Sequence, residues 1–257
     1  MRKKSFWVIL LTAILFLSAT VLGVSTVFRV DRVVIDATVV SEDAKDEAEA
    51  LREKILEAYR GESSLFVEEE KAKEIFEEFP YFRMLSFKMD YPDKIVIKAA
   101  EDEEVYAVEK ADGGYYILGA DGVVLGERES PLNRSDGGTN VIVRGVTPTA
   151  TRGEKISGDG TAEILSLCGF ASLSLDGVRS NILSAEWQKP ASSVTQITLL
   201  MKEGVKIVVQ NPQTLTKEKA EAFVSSYLSL SDSQRLTGEI RVTNDEDGTI
   251  RVGYFAV

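Results

Sequence analysis

The chain has 257 residues, 44% of them hydrophobic and 28% charged, which is too much apolar material for wholesale disorder and enough, beyond one membrane helix, for one large domain or two small ones. Its formal net charge is −11, and because Arg2, Lys3 and Lys4 sit at the extreme N-terminus, everything after them sums to −14; so acidic a body repels phosphate backbones and anionic headgroups, which makes nucleic acid a poor partner. One cysteine, Cys168, and no histidine exclude an intramolecular disulfide, a Cys-rich zinc site and any mechanism that needs imidazole.

Lys4 and Arg29 bracket 24 residues without a charge, Ser5 to Phe28. A helix of that length covers about 36 Å, against roughly 30 Å of hydrocarbon, and can cross a bilayer with some tilt. A cleaved signal peptide is the alternative. Its apolar region runs ~7–15 residues and ends in an Ala-x-Ala pattern. Here the stretch is longer and no such pattern follows, which favours an uncleaved anchor at residues 5–28. Arg2, Lys3, Lys4 and the terminal amine favour a cytoplasmic N-terminus. Residues 1–4 are then a cytoplasmic tail, and the folded body lies outside the membrane.

Phe28-Arg-Val-Asp-Arg-Val-Val-Ile-Asp alternates as a strand does and predicts one over about Val30–Ile35. Ser41 offers an N-cap, with Glu42 and Asp43 where carboxylates meet the positive end of a helix dipole. Ala48, Leu51, Ile55 and Ala58/Tyr59 recur at helical spacing, and Gly61 stops that helix. Ser64-Leu-Phe-Val is a short apolar bridge to a second helix over about Glu68–Phe79. Ala72, Ile75, Phe76 and Phe79 are its buried stripe, and Pro80 ends it. Extended runs at Arg83–Asp90 and Lys94–Ala100 flank a Tyr91-Pro-Asp turn. Residues 29–101 therefore read as an α+β unit, strand–helix–helix–strand–strand, with two amphipathic helices on one face of a small sheet.

From Asp102 to Val257 the chain is β-rich, with two helices expected to pack on an antiparallel or mixed sheet. Tyr115–Leu125 reads as a hairpin about Ala120-Asp121-Gly122. The loop at residues 127–139 contains Gly, Ser and Asn and reads as inserted or mobile. Further strands are expected at Val141–Val146, Ile182–Trp187, Val194–Met201 and Val205–Gln210, the last two joined through Glu203-Gly204. Thr161–Leu173 is a candidate helix, and its Cys168 reads as a buried, inert thiol. Thr216–Leu228 is a stronger one, with Ala220, Phe223/Val224 and Tyr227/Leu228 at helical spacing. Strands at Glu239–Thr243 and Thr249–Ala256 close the chain around Asn244-Asp-Glu-Asp-Gly248.

The usual catalytic constellations are missing from the sequence. There is no Gly-x-Ser-x-Gly elbow, Ser-x-x-Lys pair, P-loop or Gly-x-Gly-x-x-Gly, so no cofactor is expected. With 41 acidic residues a carboxylate pair can always be drawn, and a cell-wall hydrolase is a remote alternative. Asn244–Gly248 resembles part of a calcium loop, but strands are expected on both sides of it, so it reads as a hairpin turn and no metal site is assigned. Asn133-Arg-Ser is a glycosylation sequon.

The final strand carries the most functional information. Ile250, Val252, Tyr254 and Ala256 fall on one face, and Arg251, Gly253, Phe255 and Val257 on the other. At a sheet margin such a strand is a template for a partner's strand, through main-chain hydrogen bonds. In a sheet interior both of its faces would be core.

The short basic tail, single apolar helix and strand–helix–helix–strand–strand unit together resemble the FtsQ/DivIB family of bacterial division proteins. The matching residues are Phe28–Ile35, Ser64-Leu-Phe-Val, Phe79-Pro-Tyr-Phe82 and Tyr91-Pro-Asp-Lys-Ile95, with Tyr115–Leu125, Val205–Gln210 followed by the Lys217/Lys219 helix, and Gly238-Glu-Ile-Arg-Val beyond them. The chain departs from the family pattern at Asp102-Glu-Glu-Val-Tyr-Ala, where that family often has Glu-Arg and a Pro. The resemblance implies a membrane-proximal POTRA domain at 29–101 and a β-domain at 102–257. It also implies a non-enzymatic scaffold at the division septum, with membrane partners of the FtsB/DivIC and FtsL type. In that family the C-terminal strands receive a segment of a small coiled-coil partner, which by position points to Arg251, Val252, Tyr254 and Phe255. A different POTRA-bearing envelope protein, acting as a chaperone or receptor, is the other reading.

Overall fold

The computed structural model describes residues 2–189, 194–245 and 247–256, apart from some side chains of the first helix. The fold is mixed α+β, and the chain forms two compact units, Met1–Glu101 and Asp102–Val257.

In the first unit, helix α1 spans Arg2–Val27. Among the described residues, which leave out part of its side chains, no helix is long and apolar enough to cross a membrane. The anchor expected at Ser5–Phe28 therefore rests on the sequence. Strand β1 (Arg32–Asp36) is followed by helices α2 (Glu42–Tyr59) and α3 (Glu69–Glu77), then strands β2 (Phe82–Asp90) and β3 (Lys94–Glu101). The Ser41 hydroxyl accepts the Ala44 N–H at 3.2 Å and caps α2. Glu101 accepts the N–H groups of Val40 and Ser41, tying the start of α2 to the end of β3.

The sheet runs in the order β1-β3-β2, with β1 parallel and β2 antiparallel to β3. Alternation decides which side is buried: Val33, Ile95, Ile97 and Ala99 face the helices, whereas Val34 and Lys98 face water. On α2 the fully buried positions are Ala44, Leu51, Ile55 and Tyr59, so Ala44 rather than Ala48 supplies the first core contact. On α3 they are Ala72, Ile75 and Phe76.

The second unit holds one mixed nine-stranded sheet. Its first strands are β4 (Glu104–Glu109), β5 (Tyr115–Gly119), β6 (Val124–Arg128) and β7 (Val141–Arg144). A small ribbon follows, β8 (Thr147–Thr149) and β9 (Ser157–Asp159), then helices α4 (Thr161–Ser172) and α5 (Val178–Asn181). Strands β10 (Ile182–Gln188), β11 (Gln196–Met201) and β12 (Lys206–Gln210) precede helices α6 (Thr216–Ser229) and α7 (Asp232–Leu236). Strands β13 (Glu239–Asn244) and β14 (Ile250–Phe255) end the chain. The sheet order is β14-β13-β12-β11-β10-β7-β4-β5-β6. The pairs β4–β7, β7–β10 and β12–β13 are parallel and the rest antiparallel, because the first two of these cross over and α6 with α7 intervenes in the third.

Helices α4 and α6 lie on one face of this sheet. Ile164, Leu167 and Cys168 of α4 and Ala220, Phe223 and Val224 of α6 share a core with Ala185, Ile197, Leu199, Ile207, Val209, Ile240 and Val242 from the strands. The opposite face carries Arg144, Ser184, Glu186, Gln196, Thr198 and Lys206, with Leu200 and Val208 among them. Strand β4 occupies the stretch that reads in sequence as an acidic junction. The acidic Glu104 at its start is buried, and Arg128 neutralises it at 2.5 Å.

Of the loop expected at residues 127–139, Glu127 and Arg128 belong to β6, and the residues after them close on this pair. Asn133 Nδ2 donates to the Glu104 carbonyl and to Asn140 Oδ1, both at 3.0 Å, and Asn140 Nδ2 donates to Glu104 Oε2 at 3.2 Å. Asp136 binds Arg179 at 2.6 Å and accepts the Gly138 N–H, which together hold its carboxyl well below the usual range, at about 2. The sequon residue Asn133 is thus an interior strut.

Candidate functional site

The two margins of the nine-stranded sheet differ. Beyond β6, residues 152–156 cover the start of the edge: Val124 N–H donates to the Glu154 carbonyl, Gly153 N–H to the Val124 carbonyl and Ile156 N–H to the Gly122 carbonyl. Beyond β14, no strand pairs among the described residues. In the first unit the margin strand β2 carries Arg83, Lys88 and Asp90 and has a bulge at Leu85, devices that discourage pairing. Strand β14 carries one charged side chain, Arg251, and no proline or bulge.

The turn before β14 sets which of its peptide groups face outward. Gly248 adopts φ 85°, a left-handed conformation that glycine takes without steric cost. Its N–H donates to the Asp245 carbonyl and the Asp245 N–H to the Thr249 carbonyl, both at 3.0 Å. Asp247 accepts the Thr249 N–H at 2.9 Å, and this bond holds its carboxyl below the usual value. Asp245 and Thr249 are therefore a hydrogen-bonded pair. Such pairs alternate along an antiparallel ladder. With Thr243 opposite Arg251 and Val242 opposite Val252, it is Arg251, Gly253 and Phe255 that bond to β13. Ile250, Val252 and Tyr254 then direct both N–H and C=O away from the sheet.

Side chains divide the same way. Ile250, Val252 and Tyr254 share the face of the buried Ile240 and Val242, toward α6. Val252 remains 38% exposed. The Tyr254 hydroxyl donates to the Thr237 carbonyl at 3.2 Å. Gly238 (φ 93°) permits this approach, since a Cβ there would meet the Tyr254 hydroxyl at 2.7 Å.

On the opposite face Phe255 is 49% exposed, with the Arg241 guanidinium 4.9 Å from its ring centre. Arg251 pairs with Asp245 at 2.5 Å. Of the four residues that sequence position singles out, Val252 and Tyr254 thus lie on the helix side and Arg251 and Phe255 on the open side. Val257 lies outside the described residues.

The sequence reading placed these residues on one strand but did not separate them by main-chain direction. The signal was available in Gly248: a three-residue loop ending in a left-handed glycine fixes the closing pair, and with it the parity of the strand. Lys219, one of the two lysines of the matching helix, is fully buried in α6, which its sequence neighbours do not announce. Among the described residues no group of three His, Cys, Asp or Glu is placed to hold a metal.

No family model matches the chain, and no curated protein matches it in sequence.

Proposed function

We propose that this protein is a non-enzymatic scaffold of the FtsQ/DivIB type, anchored in the bacterial cell membrane by Ser5–Phe28. Its folded units stand outside the membrane and link division proteins of the FtsB/DivIC and FtsL kind at the septum. The observation that carries the reading is the margin at β14, where Ile250, Val252 and Tyr254 offer main-chain groups that no strand among the described residues pairs, beside an apolar face. A partner segment that adds as a tenth strand gains main-chain hydrogen bonds there. Its alternate side chains continue the face that packs on α6. The strand–helix–helix–strand–strand order of residues 32–101 and the 24-residue uncharged stretch support the same reading.

Affinity capture of the full-length protein from division-competent membranes tests it, comparing the native chain with Val252→Pro. The proline removes one outward N–H and leaves the ladder to β13 intact. Coiled-coil division partners are expected with the native chain and not with the variant. Equal capture by both would refute β14 as the binding edge, and release of peptidoglycan fragments by the purified chain would refute the scaffold.

A further inference from the structure

We infer that a hydrophobic tip on the first unit, built from Phe28, Leu65, Phe66 and Tyr91, seats in the headgroup region of the bilayer. This rests on the reading of Ser5–Phe28 as an anchor. Three exposed apolar side chains cluster beside the residue that follows α1: Leu65 is 46% exposed, Phe66 81% and Tyr91 57%. Backbone contacts bind them to the residue that follows α1. Ser64 N–H donates to the Phe28 carbonyl at 3.0 Å, Arg29 bridges Ser63, and the Ser64 hydroxyl donates to the Pro92 carbonyl at 2.6 Å. The Phe28 and Tyr91 rings lie 6.2 Å apart.

No linker separates this tip from the membrane helix. Helix α1 ends at Val27, and Val30 is already buried in the folded unit, its N–H bonded to the Glu62 carbonyl. Three residues span at most about 11 Å, so the tip cannot stand far from where the chain leaves the bilayer, whatever the tilt of α1. Burying an exposed phenylalanine there takes apolar surface out of water, and a tyrosine ring suits a boundary with one dry side and one wet side. Exposed Arg29 and Arg60 flank the tip at headgroup level. The chain after Lys4 is net acidic, which adds no attraction to anionic lipid, so contact there rests on the apolar tip.

The experiment uses the full chain in liposomes of phosphatidylethanolamine and phosphatidylglycerol. An environment-sensitive NBD label is placed at Phe66→Cys, at Leu65→Cys, or, as a control, at Leu85→Cys, about 17 Å farther along β2. Buried Cys168 stays unlabelled. Co-flotation with the liposomes after alkaline carbonate reports the anchor. The expected result is co-flotation, with blue-shifted emission at positions 65 and 66 that is lost when lipids doxyl-labelled near the headgroup are included. Position 85 should stay accessible to aqueous iodide. A chain that fails to float ends both the anchor reading and this proposal. A chain that floats with iodide-accessible labels at 65 and 66 ends the proposal alone. Labels shielded from iodide but untouched by doxyl lipid would mark a contact between copies of the chain and would also end it.

Discussion

Lys219 is the least expected residue in the molecule. It sits in α6 with no exposed surface, and its ammonium donates to the carbonyls of Gln210 and Asn211 at 2.8 Å and to the Thr214 hydroxyl at 3.2 Å. Those acceptors belong to a loop in which Asn211 and Leu215 both adopt left-handed φ. Lys219 thus ties the end of β12 and the loop after it to α6. Lys219→Met should cost about 1–3 kcal/mol in urea unfolding, from the acceptors left bare. Burial lowers the Lys219 ammonium to about 8, so it is still charged at neutral pH. Between about 8 and the ordinary lysine value near 10.5, the unfolded chain binds a proton that the folded one has released. Native stability should therefore rise through that window relative to the Met variant.

Cys168 gives the opposite sign. Burial pushes its thiol up from 9.0 to about 12, so above pH 9 the folded state keeps a proton that the unfolded state loses. Stability present below pH 9 should fall by up to about 1.4 kcal/mol per pH unit as pH rises past it. In Cys168→Ala the onset should move to about 10, the ordinary tyrosine value, where buried Tyr59 and Tyr106 take over. Denaturant titrations at stepped pH would show both effects. The apolar run around Cys168 announced its burial in the sequence. Nothing around Lys219 did, because its acceptors are main-chain carbonyls whose direction depends on a loop conformation that residue names do not encode.

At the level of elements, periodicity located most helices and strands to within a residue or two. Ser41 starts α2 and Pro80 follows α3, as capping and proline sterics require. Strand β4, the β8–β9 ribbon and the short helices α5 and α7 were not legible in that way; in β4 the buried Glu104 depends on Arg128, 24 positions later, being brought against it. That buried pair is also what closes the 127–139 loop. Glu104→Ala strands the Arg128 guanidinium and the Asn140 amide, and should cost about 3–5 kcal/mol and remove amide-exchange protection at Asn133, Gly137 and Asn140. Unchanged protection would show that the loop holds itself.

The two edges of β14 give a paired test. Arg251→Pro removes an N–H that bonds to Thr243 across the ladder, whereas Val252→Pro removes one that faces outward. The first should lower the unfolding midpoint and the second should leave it nearly unchanged while abolishing partner capture. If both variants lose stability equally, the assigned parity is wrong.

For the whole molecule, the division at Glu101–Asp102 matters most. Each unit has its own core, so calorimetry of the full chain should resolve two transitions. Glu104→Ala should lower only one of them, and Ser41→Ala, which removes the cap of α2, should lower only the other, by about 1 kcal/mol. A single transition that shifts with either change would mean the units unfold as one. The open margin at β14 has a consequence for how such a molecule changes over time. Peptide groups are the same in every residue, so a docking rule written in them leaves side-chain letters free to drift. Two chains could then share a mating surface and few characters of text, and their kinship would be read in the geometry of a turn and the parity of a strand.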